Sequence, residues 1–154
     1  MIAELQDRLM VTDTLYRYGS CIDTDDMAGL RAVLADDVWA RYGNGDPILG
    51  ADALVGWIGE SIAGVLWQHH LLSVYHVDVS GDRARALVYH TSHRVFASDP
   101  ATANVLVGRY HDELRRAGAG WQISRLQLEF LWAERRIDAT GLLAEIGGRG
   151  PASG

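Results

Sequence analysis

Apolar residues at the start of the chain recur at helical spacing and predict a first helix over residues 3–22. The stripe that this spacing turns inward comprises Leu5, Leu9, Leu15, Gly19 and Ile22. Asp23 comes one residue after the last inward position, so its carboxylate is expected at or just inside the rim of whatever the helix covers. An acid at that place is either a helix-end residue in water or a proton-transfer group that faces a pocket.

Two shorter helices and a first strand follow. Asp25 or Asp26 can cap a second helix over about residues 27–34. Residues 38–42 alternate between apolar and polar side chains, as a short strand does. Asp52 is predicted to cap the third helix. The first part of the chain therefore contributes mainly helices to the fold.

From His69 onward the hydrophobic period changes to two and stays there. This alternation predicts four long strands, over residues 69–79, 83–97, 104–116 and 121–134. Helices first and an antiparallel meander afterwards predict an α+β fold in which the helices cover one face of the sheet. We expect one domain over residues 1–136 and a tail over 137–154 that forms a short helix and is then disordered.

A tight turn decides which side chains of the first two long strands share a face. If Gly81 and Asp82 form a two-residue turn, His70 lies opposite His93. A β-bulge would shift the pairing by one residue and substitute His90 for His93. The sequence therefore predicts a second imidazole beside His70 and leaves its identity open.

Composition excludes several classes of function. The chain has 154 residues, a formal net charge of −6 and no run of basic residues, which disfavours a nucleic-acid partner. Its apolar runs are too short for a membrane span. The single Cys21 cannot form an internal disulfide, which is typical of the reducing cytoplasm. All fourteen basic residues are Arg, so Schiff-base chemistry on a lysine is excluded.

Motifs for cofactors and metals are missing from the chain. It lacks G-x-G-x-x-G, a P-loop, H-E-x-x-H and C-x-x-C, and we expect no organic cofactor. His69, His70 and His93 could be considered as metal ligands, but no motif places a carboxylate beside them. We therefore predict no metal site.

Three motifs stand in a specific order along the chain. They are a Tyr18-x4-Asp23 helix end, His70-Leu-Leu-Ser ahead of a strand that ends Ser-Gly-Asp-Arg-Ala84, and Gly108-Arg-Tyr-His-Asp followed by Gly120-Trp-Gln-Ile123. Over residues 3–135 this arrangement resembles the SnoaL-like branch of the nuclear-transport-factor-2-like (NTF2-like) superfamily, and within it the group of scytalone dehydratase and bile-acid 7α-dehydratase. The resemblance implies a cone-shaped α+β barrel, in which a curved antiparallel sheet wrapped by helices surrounds a deep, largely apolar pocket.

The resemblance also implies which residues carry the chemistry. Dehydratases of this group use an Asp and a His in the pocket, helped by tyrosines and without a metal or organic cofactor. Asp23 and His70 match that pair. Tyr42 matches a pocket tyrosine of both dehydratases, and Tyr18 matches a helix tyrosine of the bile-acid enzyme. Scytalone dehydratase has a tyrosine directly before its Asp, where this chain has Ile22.

These observations predict a cofactor-independent lyase, in the first place a dehydratase of a polycyclic or aromatic hydroxy-ketone. Asp23 and His70 would handle protons, while Tyr18 and Tyr42 would orient and polarise the carbonyl. Further predicted contacts to a hydrophobic, ring-bearing substrate are His93, Tyr89, Trp39, Trp57 and Tyr110. Cyclisation, epoxide opening and double-bond isomerisation in the same pocket are alternatives, as is a non-catalytic ligand-binding or dimerisation module. The resemblance also implies self-association, as a dimer or a trimer.

Overall fold

The computed structural model describes residues 1–137, which form three helices and six strands. In chain order they are α1 (Ile2–Asp23), α2 (Met27–Ala32), β1 (Leu34–Tyr42), β2 (Ile48–Leu49), α3 (Ala51–Ile62), β3 (Val65–Ser80), β4 (Arg83–Phe96), β5 (Asp99–Ala117) and β6 (Gly120–Arg136). Within this part of the chain, no helix combines the length and apolar character that a membrane span needs. The predicted tail lies outside the described residues except for Ile137, so its short helix, its disorder and the domain boundary stay predictions.

The six strands form one curved sheet in the order β2-β1-β6-β5-β4-β3. Strands β3 to β6 form the antiparallel meander that the period-two pattern predicts, and the α+β class is confirmed. β1, however, pairs in parallel with β6, so the sheet is mixed and not wholly antiparallel. It also stays open and does not close into a barrel. Alternation along a strand is the same for both pairing directions, so the sequence pattern could not reveal the orientation of β1.

The face of α1 that packs against the sheet differs in part from the predicted stripe. Its buried residues are Val11, Thr14, Leu15, Tyr18, Gly19 and Ile22. Leu5 and Leu9 were predicted to face inward, but they are 59% and 62% exposed. Continuing the buried stripe toward the N-terminus leads instead to Asp7 and Arg8, which bind Arg116 and a backbone carbonyl of β3. The first turns of α1 therefore contact the sheet through polar groups, and the two leucines lie on the adjacent face.

The starts of the two shorter helices follow different rules. Asp26 caps α2, because its carboxylate accepts a hydrogen bond from the Gly29 backbone N–H at 2.8 Å. α3 begins after Gly50, whose φ of +91° is accessible to a residue without a Cβ. Asp52 is therefore not the cap that the sequence predicts. It lies in the first turn of α3 and forms an ion pair with Arg31 at 2.7 Å.

The pairing of β3 with β4 decides which histidines share a face. A register shift at Tyr75 places His70 opposite Ser92 instead of His93. His90 then lies on the same face as His70, with the two ring centroids 5.3 Å apart. The simple pairing of His70 with His93 is therefore wrong, and the bulged alternative with His90 is confirmed.

The inner face of the sheet packs against the helices through a continuous apolar core. Its largest fully buried side chains are Leu30, Leu34, Leu54, Leu114, Ile123 and Leu126. Burial of an aliphatic side chain of this size contributes roughly 1.5–3 kcal/mol. In another part of the inner face, where aromatic and polar side chains point toward the helices, there is a cavity. The other face of the sheet carries exposed Leu71 and Tyr75, and the expected self-association stays a prediction.

Candidate active site

A cavity of about 140 Å³ lies between α1, α3 and the inner face of the sheet. Its apolar wall is formed by Ile22, Trp57, Ile58, Leu106, Leu128 and Phe130. Its polar groups come from Tyr18, Tyr42, Ser61, His70, His90, Ser92, Arg94 and Tyr110. An apolar cavity into which a few polar side chains converge is the usual form of a site for a small organic molecule.

Asp23, the last residue of α1, binds His70 of β3 at two points. Its Oδ1 lies 2.6 Å from the His70 Nδ1, and its Oδ2 accepts a hydrogen bond from the His70 backbone N–H at 2.7 Å. Both side chains are largely shielded from solvent, with exposed fractions of 19% for Asp23 and 6% for His70. The two contacts fix the position of the imidazole and the plane of its ring.

A glycine in α1 allows this close approach of the helix to β3. A Cβ added to Gly19 would lie 2.8 Å from Leu72 Cδ1 and 3.5 Å from His70 Cβ. A side chain at this position would therefore require Leu72 to shift, and it would contact His70 at van der Waals distance. Gly19 is four residues before Asp23, about one helical turn, so the same packing brings the carboxylate to the imidazole.

His70 stands between Asp23 and the cavity. The imidazole lines the cavity, whereas Asp23 lines a neighbouring concavity with Gly59, Val65 and Trp67. Because Nδ1 faces the carboxylate, Nε2 is the ring nitrogen available to a molecule in the cavity. A carboxylate on Nδ1 favours the neutral tautomer with the proton on Nδ1 and a basic Nε2. The helix-end acid of the sequence prediction is therefore neither in bulk water nor on the cavity wall.

His90 is the second imidazole of the cavity. It is 2% exposed, and within residues 1–137 neither ring nitrogen has a hydrogen-bond partner. Burial, together with the positive charges that His70 and Arg94 can carry, lowers the pKa of His90 to about 4. His90 is therefore neutral at neutral pH, with one N–H donor and one acceptor to offer to a ligand or a water molecule.

Three tyrosines line the cavity together. The hydroxyl oxygens of Tyr18 and Tyr42 are 2.5 Å apart, and the Tyr110 ring packs edge-on against Tyr18 at a centroid distance of 5.9 Å. Burial raises the pKa of all three phenols above the ordinary value. They are therefore neutral hydrogen-bond donors. Trp57, stacked on Tyr42 at 4.6 Å, adds an aromatic wall.

Arg94 is a cavity residue that the sequence analysis missed. Its side chain lines the cavity from the inner face of β4, and burial lowers the pKa of its guanidinium. The signal was present in the sequence, because the alternation that turns His90 and Ser92 inward does the same for position 94. No catalytic motif of the sequence contains this position.

Three of the predicted substrate contacts lie on the other face of the sheet. Trp39 packs under the guanidinium of Arg125, 3.8 Å from its ring centroid, and Tyr89 packs on Tyr75. His93 is paired with His69, with ring nitrogens 3.1 Å apart. None of the three lines the cavity, and we correct their assignment accordingly. For His93 and Tyr89 the reason is the register shift at Tyr75, which exchanges the two faces of β4 relative to His70. Trp39 alternates with Ala40 and Tyr42 on β1 and therefore faces away from the cavity.

The remaining predicted residues lie together at the cavity. Tyr18, Tyr42, Trp57 and Tyr110 line it beside His70, and Asp23 reaches it through His70. No group of three or more His, Cys, Asp or Glu side chains within the described part of the chain is arranged to bind a metal ion.

The fold and the cavity define an α+β protein with a pocket on the inner face of a curved sheet. Residues 3–127 match the SnoaL-like domain family, and the chain belongs to this family. An uncharacterised protein of Mycobacterium tuberculosis (strain H37Rv) is 29% identical over 125 residues, which is 80% of this chain and 85% of that protein. The predicted family is confirmed.

Solved structures share the fold at low sequence identity. An NTF2-like protein with a cystatin-like fold from Novosphingobium aromaticivorans has a TM-score of 0.73 at 24% identity, over 84% of this chain and 85% of that one. A candidate scytalone dehydratase from the same organism has a TM-score of 0.76 at 17% identity, over 86% and 87% of the two chains. The hexachlorocyclohexane dehydrochlorinase LinA-type3 of Novosphingobium barchaimii has a TM-score of 0.78 at 13% identity, over 88% and 93%.

Proposed function

We propose that this protein is a cofactor-independent acid–base lyase that removes water from a hydroxy-ketone with an aromatic or fused-ring skeleton. The observation that carries the proposal is the contact between Asp23 and His70, with the imidazole lining an apolar cavity. Two of the structural neighbours have names that denote eliminations, a candidate scytalone dehydratase and a dehydrochlorinase. Their likeness supports the fold alone, and the support for the chemistry comes from the residues of the cavity.

His70 is the proton-transfer group in this proposal. Its Nε2 removes the proton from the carbon next to the carbonyl, and the resulting imidazolium is stabilised by the Asp23 carboxylate on Nδ1. Asp23 therefore orients and stabilises, because both of its oxygens are engaged by His70. In the alternative reactions, cyclisation, epoxide opening and double-bond isomerisation, the roles would be reversed, with Asp23 as the only base and His70 orienting it.

A tyrosine stabilises the enolate that forms after proton removal. In the Tyr18–Tyr42 pair one hydroxyl donates to the other, so one phenolic proton is left for the carbonyl oxygen of the substrate. Since burial raises the pKa of both phenols, they stay neutral and can donate. The pair thus supplies the donor that an enolate needs without a metal ion.

The second half of the reaction returns the proton to the leaving hydroxyl. The His70 imidazolium gives its Nε2 proton to the hydroxyl oxygen on the β carbon. The C–O bond then breaks, the C=C bond forms, and water leaves. His90 is a poor acid for this step, because its pKa of about 4 keeps it neutral at neutral pH. One imidazole can serve both steps only if the two groups leave from the same side, so we expect a syn elimination.

Turnover of a panel of β-hydroxy ketones fused to an aromatic ring tests the proposal. Product is detected by the loss of one water in mass spectrometry and by the absorbance of the conjugated ketone. His70→Ala should abolish turnover, whereas His93→Ala, a matched change on the other face of the sheet, should not. Rearranged products of unchanged mass would support isomerisation or cyclisation in the same pocket. Saturable binding of the panel without any product would support the ligand-binding module.

A further inference from the structure

Arg94 stands where the cavity meets a second, wider concavity. The second concavity has a volume of about 510 Å³ and is lined by residues of β4, β5 and β6. Ser92, Arg94 and Leu106 line both spaces. A molecule that lies with one end near His70 and extends into this groove would therefore pass the guanidinium of Arg94.

The guanidinium has no strong partner within residues 1–137. Its Nη1 approaches the backbone carbonyl of Ser61 at 3.5 Å, the outer limit of a hydrogen bond. By contrast, seven other arginines of this part of the chain form ion pairs with carboxylates. Arg94 thus combines two properties: its side chain lines the cavity, and it has no carboxylate as an ion-pair partner among the described residues.

The acidic groups nearest to the cavity form no ion pair with Arg94 within residues 1–137. The charge of Asp23 acts on Arg94 from a distance and opposes the lowering of its pKa by burial, but both oxygens of Asp23 are bound to His70. Glu134 lines the same groove, but its oxygens contact Arg136 at 2.7 Å and Trp132 at 3.3 Å. Asp112 is buried, and burial raises the pKa of its carboxyl well above the ordinary value, so that it favours the neutral form. The guanidinium of Arg94 therefore lines the cavity without a direct carboxylate contact in the described residues.

A partly buried guanidinium without a carboxylate is costly to the folded protein, because it loses water that no protein group replaces. Such a cation is commonly a ligand-binding group. The planar guanidinium presents parallel N–H donors whose spacing matches the two oxygens of a carboxylate. A carboxylate is thus the ligand group that would restore both the charge balance and the missing hydrogen bonds.

We propose that Arg94 binds a carboxylate of the substrate, so that the substrate is a ring-bearing organic acid. Its ring system lies in the apolar cavity and its anionic group lies at the junction with the groove. The part of the inference that concerns the hydroxy-ketone rests on the proposed function. The anion-binding part stands separately and can be tested by binding alone.

Binding of aromatic acids to the free protein is the first test. Benzoate and 2-naphthoate, and the methyl ester of each, are titrated while the tryptophan fluorescence and the heat of binding are followed. The wild-type protein should bind each acid about tenfold to hundredfold more tightly than its ester, as a charge-assisted bidentate contact implies. Arg94→Gln should remove this preference by weakening the acid alone, and Arg94→Lys, which keeps the charge but not the fork, should lie between them.

Matched variants separate this inference from the proposed function. Arg125→Gln removes a guanidinium that packs on Trp39 at the other face of the sheet, and it should leave the preference for acids intact. Equal binding of acid and ester by the wild-type protein, no binding of the acids, or an Arg94→Gln variant that weakens acid and ester equally would overturn the inference. If Arg94→Gln does not fold, the acid-to-ester comparison and Arg94→Lys still decide. Dehydration of neutral hydroxy-ketones without a preference for acids would leave the proposed function standing and remove only the role of Arg94.

Discussion

The carboxylate of Asp23 holds His70 at two points, one on its ring and one on its backbone. The 2.6 Å contact to Nδ1 sets the ring orientation, and the 2.7 Å contact to the backbone N–H ties the end of α1 to β3. A helix end and a strand are thereby fixed relative to each other by the same carboxylate that acts on the imidazole. The geometry of the site and the packing of the fold are consequently linked.

Asp23→Asn should retain the fold but reverse the tautomer of His70. The amide oxygen can still accept from the backbone N–H, whereas the amide N–H would donate to Nδ1 and force the ring proton onto Nε2. His70 would then no longer be a base, and we expect turnover to fall by a factor on the order of 10²–10⁴. NMR of the imidazole nitrogens reports the tautomer without any substrate. Asp25→Asn, the same change at an exposed position, serves as the control, and a variant at Asp23 that kept the proton on Nδ1 would contradict the argument.

The hydroxyls of Tyr18 and Tyr42 should stabilise each other, so that the losses of unfolding free energy on removing them are not additive. Either Tyr→Phe change leaves a buried hydroxyl without its 2.5 Å partner, which costs about 1–2 kcal/mol of unfolding free energy. The double variant leaves no orphaned group, so its loss should be clearly smaller than the sum of the two single losses. Urea unfolding of the four proteins measures this coupling. Strictly additive losses would mean that the two hydroxyls do not stabilise each other.

His90 should make the protein less stable in mild acid. An unfolded histidine binds a proton near pH 6.5, whereas the pKa of His90 in the folded protein is about 4. Between these values the unfolded state takes up the proton and the folded state does not, so stability is lost as the pH falls through this window. The loss is on the order of 3 kcal/mol by pH 4. His90→Gln should flatten this part of the profile of unfolding free energy against pH. His76→Gln, at an exposed position, should not. Identical profiles for the two variants would show that His90 does not cause the loss of stability in mild acid.

Asp112 should make the protein less stable as the pH rises, the opposite of the effect of His90. Burial raises the pKa of its carboxyl well above the ordinary 3.8, so above that pH the unfolded state releases a proton that the folded state keeps. Stability contributed by the neutral acid is therefore lost as the pH rises. Asp112→Asn cannot ionise, and its melting temperature relative to the wild-type protein should increase steadily from pH 4 to pH 7. Asp46→Asn, in an exposed turn, should show a constant difference over the same range.

Gly108 should be intolerant of a methyl group. A Cβ at this position of β5 would lie 2.5 Å from the backbone carbonyl oxygen of Glu129, which belongs to the paired strand and cannot move aside. We expect Gly108→Ala to lower the unfolding free energy by about 1–3 kcal/mol. Gly56 in α3 has no atom within 4 Å of the corresponding position, and Gly56→Ala should be neutral or stabilising by up to about 1 kcal/mol. Equal effects of the two changes in thermal unfolding would contradict the steric argument.

Much of the fold follows from local periodicity in the sequence. The first helix and the four long strands of the meander lie over the residues that the pattern predicts, although β3 begins earlier, at Val65, and β5 begins earlier, at Asp99. Of the two predicted caps, Asp25 and Asp26, the structure has Asp26. The strands, the helix and the cap are local features, because each depends on spacing within one helix, one strand or one turn. The order of the motifs along the chain indicated the family, and the resemblance to that family implied Asp23 and His70 as a pair.

The decisions left to the tertiary structure concern partners and faces. The sequence did not determine that β1 runs parallel to β6, that the sheet-facing stripe of α1 passes Asp7 and not Leu5, or that Arg94 is a wall of the cavity. A single irregularity at Tyr75 exchanged His93 for His90 beside His70. The physical reason is that side-chain alternation has a period of two, so one extra residue in a distant turn or bulge inverts which side chains face the cavity, and only the complete pairing of the sheet fixes that choice.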